Sequence, residues 1–197
     1  MRILIISSCG KKKKTSPAPA GELYTGQQAQ AVLSAVNNLR KVENQVDYYI
    51  ISARHGLVRA DFLLPPYDVS FSGKTAPEIN TMAKKLKIRS DLKILMTNKY
   101  YDLIYLALGK DYLKAIGDIS YLGDHALEVI HFKRKEIEGL IMINEQSLIG
   151  QPKPNNFALS VGGSSAAKGR ILLNYSIYKI TGGKGLFIDW WRNTKFE

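Results

Sequence analysis

The chain has 197 residues, 45% hydrophobic and 23% charged, a composition that excludes disordered and membrane-embedded classes and suits one buried core. Its 28 lysines and arginines against 17 carboxylates leave a formal charge of +11, which points to a polyanionic partner, nucleic acid foremost. Cys9 is the single cysteine, so an internal disulfide framework and a four-cysteine zinc site are excluded and a reducing, cytoplasmic setting is the default.

Arg2 to Ser8 is a continuous apolar run without a helical face, the pattern of a strand buried on both sides of a parallel sheet. It is too short to span a membrane, and the lysines follow it, the reverse of a secretory signal. Lys11 to Gly21 reads as an irregular loop punctuated by Pro17 and Pro19. Thr25 with Gln28 then fits a capping box, and Ala29, Val32, Leu33, Val36 and Leu39 recur at helical spacing.

Val46 to Ala53 is a second buried strand, rich in Val, Tyr and Ile. Thr75 with Glu78 makes another capping box, with Pro77 in the first turn and Ile79, Met82, Ala83 and Leu86 as one apolar stripe. Tyr101 to Leu108 predicts a third strand, with a short helix after Gly109-Lys110-Asp111-Tyr112, and His125 to Phe132 a fourth. From Lys133 the pattern weakens: Ile137 to Leu148 permits helix or strand, Gln151 to Asn156 is loop, and Ala166 to Tyr178 predicts a helix before a glycine-rich turn.

Strands alternating with helices predict an α/β fold with a mostly parallel central sheet flanked by helices. One domain is expected over residues 1–197, with 1–132 as the core and 133–197 as an extension packed on it. Ligands of such sheets bind outside the carboxyl ends of the strands. That rule brings Ser8-Cys9-Gly10, Ser52 to His55 and Gly109 to Tyr112 to one rim, with Cys9, Ser52 and Lys110 among the substrate-facing residues.

The rim residues have a chemistry. Lys11 to Lys14 after Cys9-Gly10 can hold a phosphate through lysines and backbone N–H groups, although a solvated surface run reads the same way. The Gly-x-x-x-x-Gly-Lys-Ser/Thr spacing of a nucleotide-binding P-loop is absent, and no cofactor or metal is implied. In Ser52-Ala53-Arg54-His55-Gly56 and Pro65-Pro66-Tyr67-Asp68, Arg54 suits bidentate phosphate contact, His55 and Asp68 can move protons, and Tyr67 can stack on a base. The structural alternative is a turn made by Gly56 and a tyrosine filling the core.

Two further features stay open. Gly162-Gly163-Ser164-Ser165 before a helix offers phosphate donors. Lys184, Arg192 and Lys195 among Phe187, Trp190 and Trp191 either grip a nucleic-acid strand or seal the sheet. His125 and His131 lie on an apolar strand and read as structural.

Ile-Ser-Ala-Arg-His-Gly-Leu-Val with the following Pro-Pro-Tyr-Asp resembles the "S-x-x-x-G-L/V-L/V … P-Y" element of the YaaA-type peroxide-stress proteins. The opening Ser8-Cys9-Gly10-Lys11 with Pro19-Ala20-Gly21-Glu22-Leu23-Tyr24 is similar to a related family of small domains, and the resemblance covers residues 1 to 112. It implies DNA binding and kinship with the uracil-DNA glycosylase-like fold. The Gly-x-Asp-Pro-Tyr motif that activates water in the standard glycosylases is absent after the first strand.

The expectation is a DNA-binding protein acting on a modified or damaged base or its N-glycosidic bond. Such cleavage needs a base taken out of the stack, aromatic walls, a carboxylate or activated water near the sugar, and cations on flanking phosphates. Tyr24, Tyr67 and Tyr112 are the walls, Asp68 the carboxylate with His55, and Arg54 with Lys12 or Lys13 the cations. The alternatives are a non-catalytic nucleic-acid-binding module and an enzyme of free nucleosides or nucleotides.

Overall fold

The computed structural model describes residues 1–43, 45–132, 135–164 and 166–194. In chain order its elements are β1 (Arg2–Ser8), β2 (Ala18–Pro19), α1 (Ala20–Leu23), α2 (Gln27–Leu39), β3 (Gln45–Ser52), β4 (Gly56–Arg59) and β5 (Leu63–Leu64). There follow α3 (Ala76–Lys85), α4 (Ile88–Met96), β6 (Tyr101–Ala107), α5 (Lys110–Ile116), β7 (Ala126–His131), β8 (Ile141–Met142), α6 (Ala167–Ile180) and α7 (Phe187–Arg192). Short 3₁₀ turns occupy Ser120–His125 and Glu145–Leu148.

The central six-stranded sheet runs β4-β3-β1-β6-β7-β8, parallel except where β4 folds back antiparallel on β3. Ile3, Leu4, Ile5 and Ile6 of β1 are fully buried, as a central strand covered on both faces requires. The chain steps one way from β1 to β3 and the other way to β6. By the right-handed crossover rule, steps in opposite directions assign α2 to one face and α3 and α4 to the other. The reversal lies between the carboxyl ends of β1 and β6, the favoured ligand position of such sheets.

The capping box of α3 forms as expected, with Glu78 Oε2 accepting from Thr75 N at 2.7 Å. That of α2 does not. The helix starts after Gly26, and Gln28 Nε2 instead donates to the Ala107 carbonyl at 3.0 Å, tying the helix start to the end of β6. The ambiguous stretch after residue 133 resolves into β8 and a 3₁₀ turn.

The extension completes the core. α6 packs along α2, where a Cβ on Gly169 would lie 2.7 Å from the Gln28 carbonyl oxygen, so only glycine permits this approach. Glu128 of β7, itself buried, accepts the N–H groups of Phe187 and Ile188 at 2.8 and 3.1 Å and so fixes the start of α7. Phe187 and Trp190 are buried against Tyr175 and Phe157. The tail aromatics therefore seal the fold and are not free to grip a strand; Lys195 lies outside the described residues, as does Ser165. No helix among the described residues is long and apolar enough to cross a membrane.

Candidate functional site

Where β1 ends, Cys9 N donates to the Ile51 carbonyl at 3.0 Å, which holds the outgoing loop beside the end of β3. The lysine run then lies antiparallel to Leu23–Thr25: Lys14 N donates to Leu23 O at 2.9 Å and Thr25 N to Lys12 O at 3.0 Å. This pairing keeps Lys11 and Lys12 exposed on a fixed backbone. Lys14 is exposed too, but its ammonium lies 3.1 Å from Glu22.

Between β3 and β4 the chain turns tightly through Ala53-Arg54-His55. Gly56 makes the turn possible: its φ is +77°, and a Cβ there would sit 2.7 Å from the Leu86 carbonyl oxygen. Ser52, fully buried, accepts the N–H groups of Arg54 and His55 at 3.1 and 3.0 Å. A hydroxyl has two acceptor positions and one proton. Ser52 O–H thus donates to Tyr67 Oη at 2.7 Å, and Tyr67 O–H donates to Tyr24 Oη at 2.6 Å. The turn that presents Arg54 and His55 is coupled to both tyrosines.

A second pair joins the ends of β1 and β6. Tyr112 O–H donates to the Cys9 carbonyl at 3.3 Å, and Cys9 Sγ is 2.9 Å from the same phenol oxygen. Phe71 meets Tyr112 edge to face at 5.2 Å. Lys13 closes the cluster from above, its ammonium 4.6 Å from the Tyr67 ring centre and 5.8 Å from that of Tyr24, a favourable cation–π geometry.

Burial holds these phenols in the neutral form. The Tyr24 hydroxyl is pushed up to about 12, mainly by burial. Tyr67 and Tyr112 are raised further, by burial first and then by Cys9. His55 moves the other way: burial, then the neighbouring Arg54 charge, lowers its pKa below the usual 6.5. Near neutral pH the phenols are donors and His55 is an unprotonated imidazole, its ring 5.1 Å from that of Tyr67.

The structure brings Cys9, Lys13, Tyr24, Ser52, His55, Tyr67 and Tyr112 into one cluster, with Lys12 and Arg54 exposed at its mouth. Tyr24 and Tyr112 are 1% and 7% exposed, so they are packed walls without a free ring face, and Tyr67 alone is half-buried. Asp68 is exposed and makes no hydrogen bond or ion pair with another described residue. Lys110 turns away from the cluster to line a cleft of about 1280 Å³ on the other side of α5. Two residues of that cleft, Glu145 and Lys168, form a buried ion pair of 2.5 Å; Lys168 lies on the helix expected from Ala166, but nothing in the sequence pairs it with Glu145.

The profile of DUF6884, described as a family of unknown function, matches residues 3–132. The chain belongs to this family. No curated protein and no solved structure matches it. The DUF6884 segment contains every member of the tyrosine–serine cluster, whereas Glu145 and Lys168 lie beyond its end.

Proposed function

We propose that this DUF6884 protein binds DNA through the rim formed by Lys11 to Lys14 and by Arg54 of the β3–β4 turn. The observation that carries the reading is the exposed cation set of Lys11, Lys12 and Arg54 on backbone fixed by hydrogen bonds at the strand ends. Cations on rigid backbone meet phosphates without the ordering cost of a flexible tail. The +11 charge of the chain draws the same partner at long range. The lone Cys9 fits a reducing cytoplasmic setting.

Fluorescence anisotropy of labelled duplex and single-stranded DNA over a salt series tests this. The combined variant Lys11→Ala, Lys12→Ala, Arg54→Ala is expected to flatten the slope of log affinity against log salt by about 3, roughly 0.9 for each lost phosphate contact. An unchanged slope removes the rim from DNA binding.

A base-directed or N-glycosidic reaction is the second part of the proposal, and His55 favours it: an unprotonated imidazole at the mouth of an aromatic cluster can accept a proton from water. Asp68, exposed one residue after Tyr67, is the carboxylate that would work with it. Incubation with oligonucleotides carrying a panel of modified bases should release free base, and His55→Gln should abolish release while leaving DNA affinity within about twofold, the scale of a neutral surface change. Release that survives in His55→Gln takes the imidazole out of the reaction; no release across the panel, with binding intact, leaves a non-catalytic DNA-binding module.

A further inference from the structure

The cleft beyond α5 is absorbed by none of the rim chemistry. It lies past the carboxyl ends of β7 and β8, between α3 and α5 on one side and the segment Met142–Gln146 on the other. Four cations, Arg89, Lys110, Lys114 and Lys168, line it with one carboxylate, Glu145, and a second carboxylate, Asp111, pairs with Lys114 at 3.1 Å from beside the lining, which leaves two cations in excess. This excess of positive charge in a concave site selects an anion.

The cations differ in how they are held. The Arg89 guanidinium is fixed by the carbonyls of Ala115 and Lys114 at 3.1 and 3.0 Å and by Asn80 Oδ1 at 2.5 Å. Lys168 is 9% exposed, paired with Glu145, and its ammonium stands 5.2 Å from the Phe132 ring centre. Lys110 is exposed and makes no hydrogen bond or ion pair with another described residue. Fixed charges on the walls and an unengaged ammonium at the entrance suit a phosphate group.

Phosphate alone does not account for the remaining lining. The carboxamide of Gln146 supplies hydrogen-bonding edges and Leu113 and Met142 an apolar wall, the combination that takes a planar polar ring. At about 1280 Å³ the cleft is larger than the roughly 300–1,000 Å³ of most small-ligand pockets. It has room for a nucleotide together with flanking chain.

We infer that this cleft is a nucleotide-binding site, taking a phosphate against Lys110 and Lys114 and a base against Gln146 and the Leu113–Met142 wall. The inference deepens the DNA-binding reading and rests on it for the source of the nucleotide, a strand held on the rim. A free nucleotide has the same chemistry. Because Tyr112 and Lys110 share α5, one short helix separates the rim cluster from the cleft.

The test uses the full chain, a single-stranded oligonucleotide carrying 2-aminopurine at one position, and deoxyadenosine monophosphate as competitor. Wild type is expected to change the 2-aminopurine fluorescence on binding. Lys110→Glu and Lys114→Gln, whose side chains reach solvent and so spare the fold, are each expected to weaken that signal's affinity about tenfold, the worth of one charge-assisted hydrogen bond. Displacement by the free monophosphate identifies a free nucleotide as the ligand, and displacement only by unlabelled oligonucleotide identifies a strand.

If the oligonucleotide binds both variants as tightly as wild type, with the same fluorescence change, the cleft inference is overturned while rim binding stands. If the chain binds no DNA but binds the monophosphate, and loses it in both variants, the rim reading fails and the cleft inference holds.

Discussion

Replacing Lys168 with methionine is expected to lower the unfolding free energy by about 3 kcal/mol, because it strands the Glu145 carboxylate in a site that had been neutralised. The two side chains are 11% and 10% exposed and 2.5 Å apart, so neither is fully hydrated on its own. Methionine keeps the unbranched apolar stem of lysine as far as the ε-carbon and removes the ammonium group. The main chain is spared as well, since Tyr105 bonds to the Lys168 carbonyl and not to its side chain. Urea denaturation followed by far-UV circular dichroism reads the shift as a lower midpoint at unchanged m.

The double replacement Lys168→Met, Glu145→Leu is the control that identifies the cause. With both charges gone, no uncompensated ion remains and most of the lost stability should return. If the single variant is as stable as wild type, water in the cleft hydrates Glu145 well enough, and the pair is not a buried one in the energetic sense.

The second large effect is alkaline unfolding. Burial pushes both Tyr24 and Tyr48 up to about 12 from the 10.0 of a free phenol, with Tyr67 and Tyr112 raised beyond them. Below pH 10.0 the folded and unfolded chains hold these protons equally, so the contribution to stability is complete and level. Above it the unfolded chain ionises first, binds fewer protons, and gains on the folded state until pH passes about 12.

For the fully packed Tyr48 alone the loss across that window is about 3 kcal/mol. Phenolate absorbance should therefore rise in two steps, an early one from exposed tyrosines such as Tyr100 and a late one together with the loss of secondary structure. Loss of the late step, with its amplitude moved ahead of unfolding, would show that the cluster admits solvent. Tyr48→Phe should shift the alkaline transition upward, though at neutral pH it removes the 2.9 Å bond to Ser7.

The main sheet was legible because β1, β3, β6 and β7 are apolar runs covered on both faces, and such runs stand out in the sequence whatever surrounds them. What escaped has physical reasons. β4 is a short edge strand with exposed Arg59, so neither continuous burial nor strict alternation marks it. The break between α3 and α4 is made by Lys87 in the left-handed region, φ 54°, a place where glycine or asparagine would ordinarily announce a stop. Thr25 and Gln28 have capping-box spacing, but the glutamine is drawn to a carbonyl on β6, a tertiary contact no local pattern reveals.

The candidate site divides in the same way. Cys9, Ser52 and Tyr112 could be placed together because strand ends in a parallel sheet share one rim. The direction of a side chain around a helix end is a finer matter: Tyr112 turns to Cys9 while Lys110, two residues earlier, faces the other side. The pairing of Glu145 with Lys168 carried no signal, since it depends on how the last third of the chain returns to the sheet.

That return gives the close contact at Gly169 a bearing on how the lineage can change. The matched family segment stops at residue 132, yet α6, which covers α2, lies wholly after it. The unit shared by descent and the unit that buries its own core therefore have different borders. A chain built on the shared segment without this extension would have to cover the same helix by some other means, whether a differently shaped appendage or a second subunit. With the cleft's far wall supplied by the same appendage, exchanging it would alter ligand choice while leaving the rim intact.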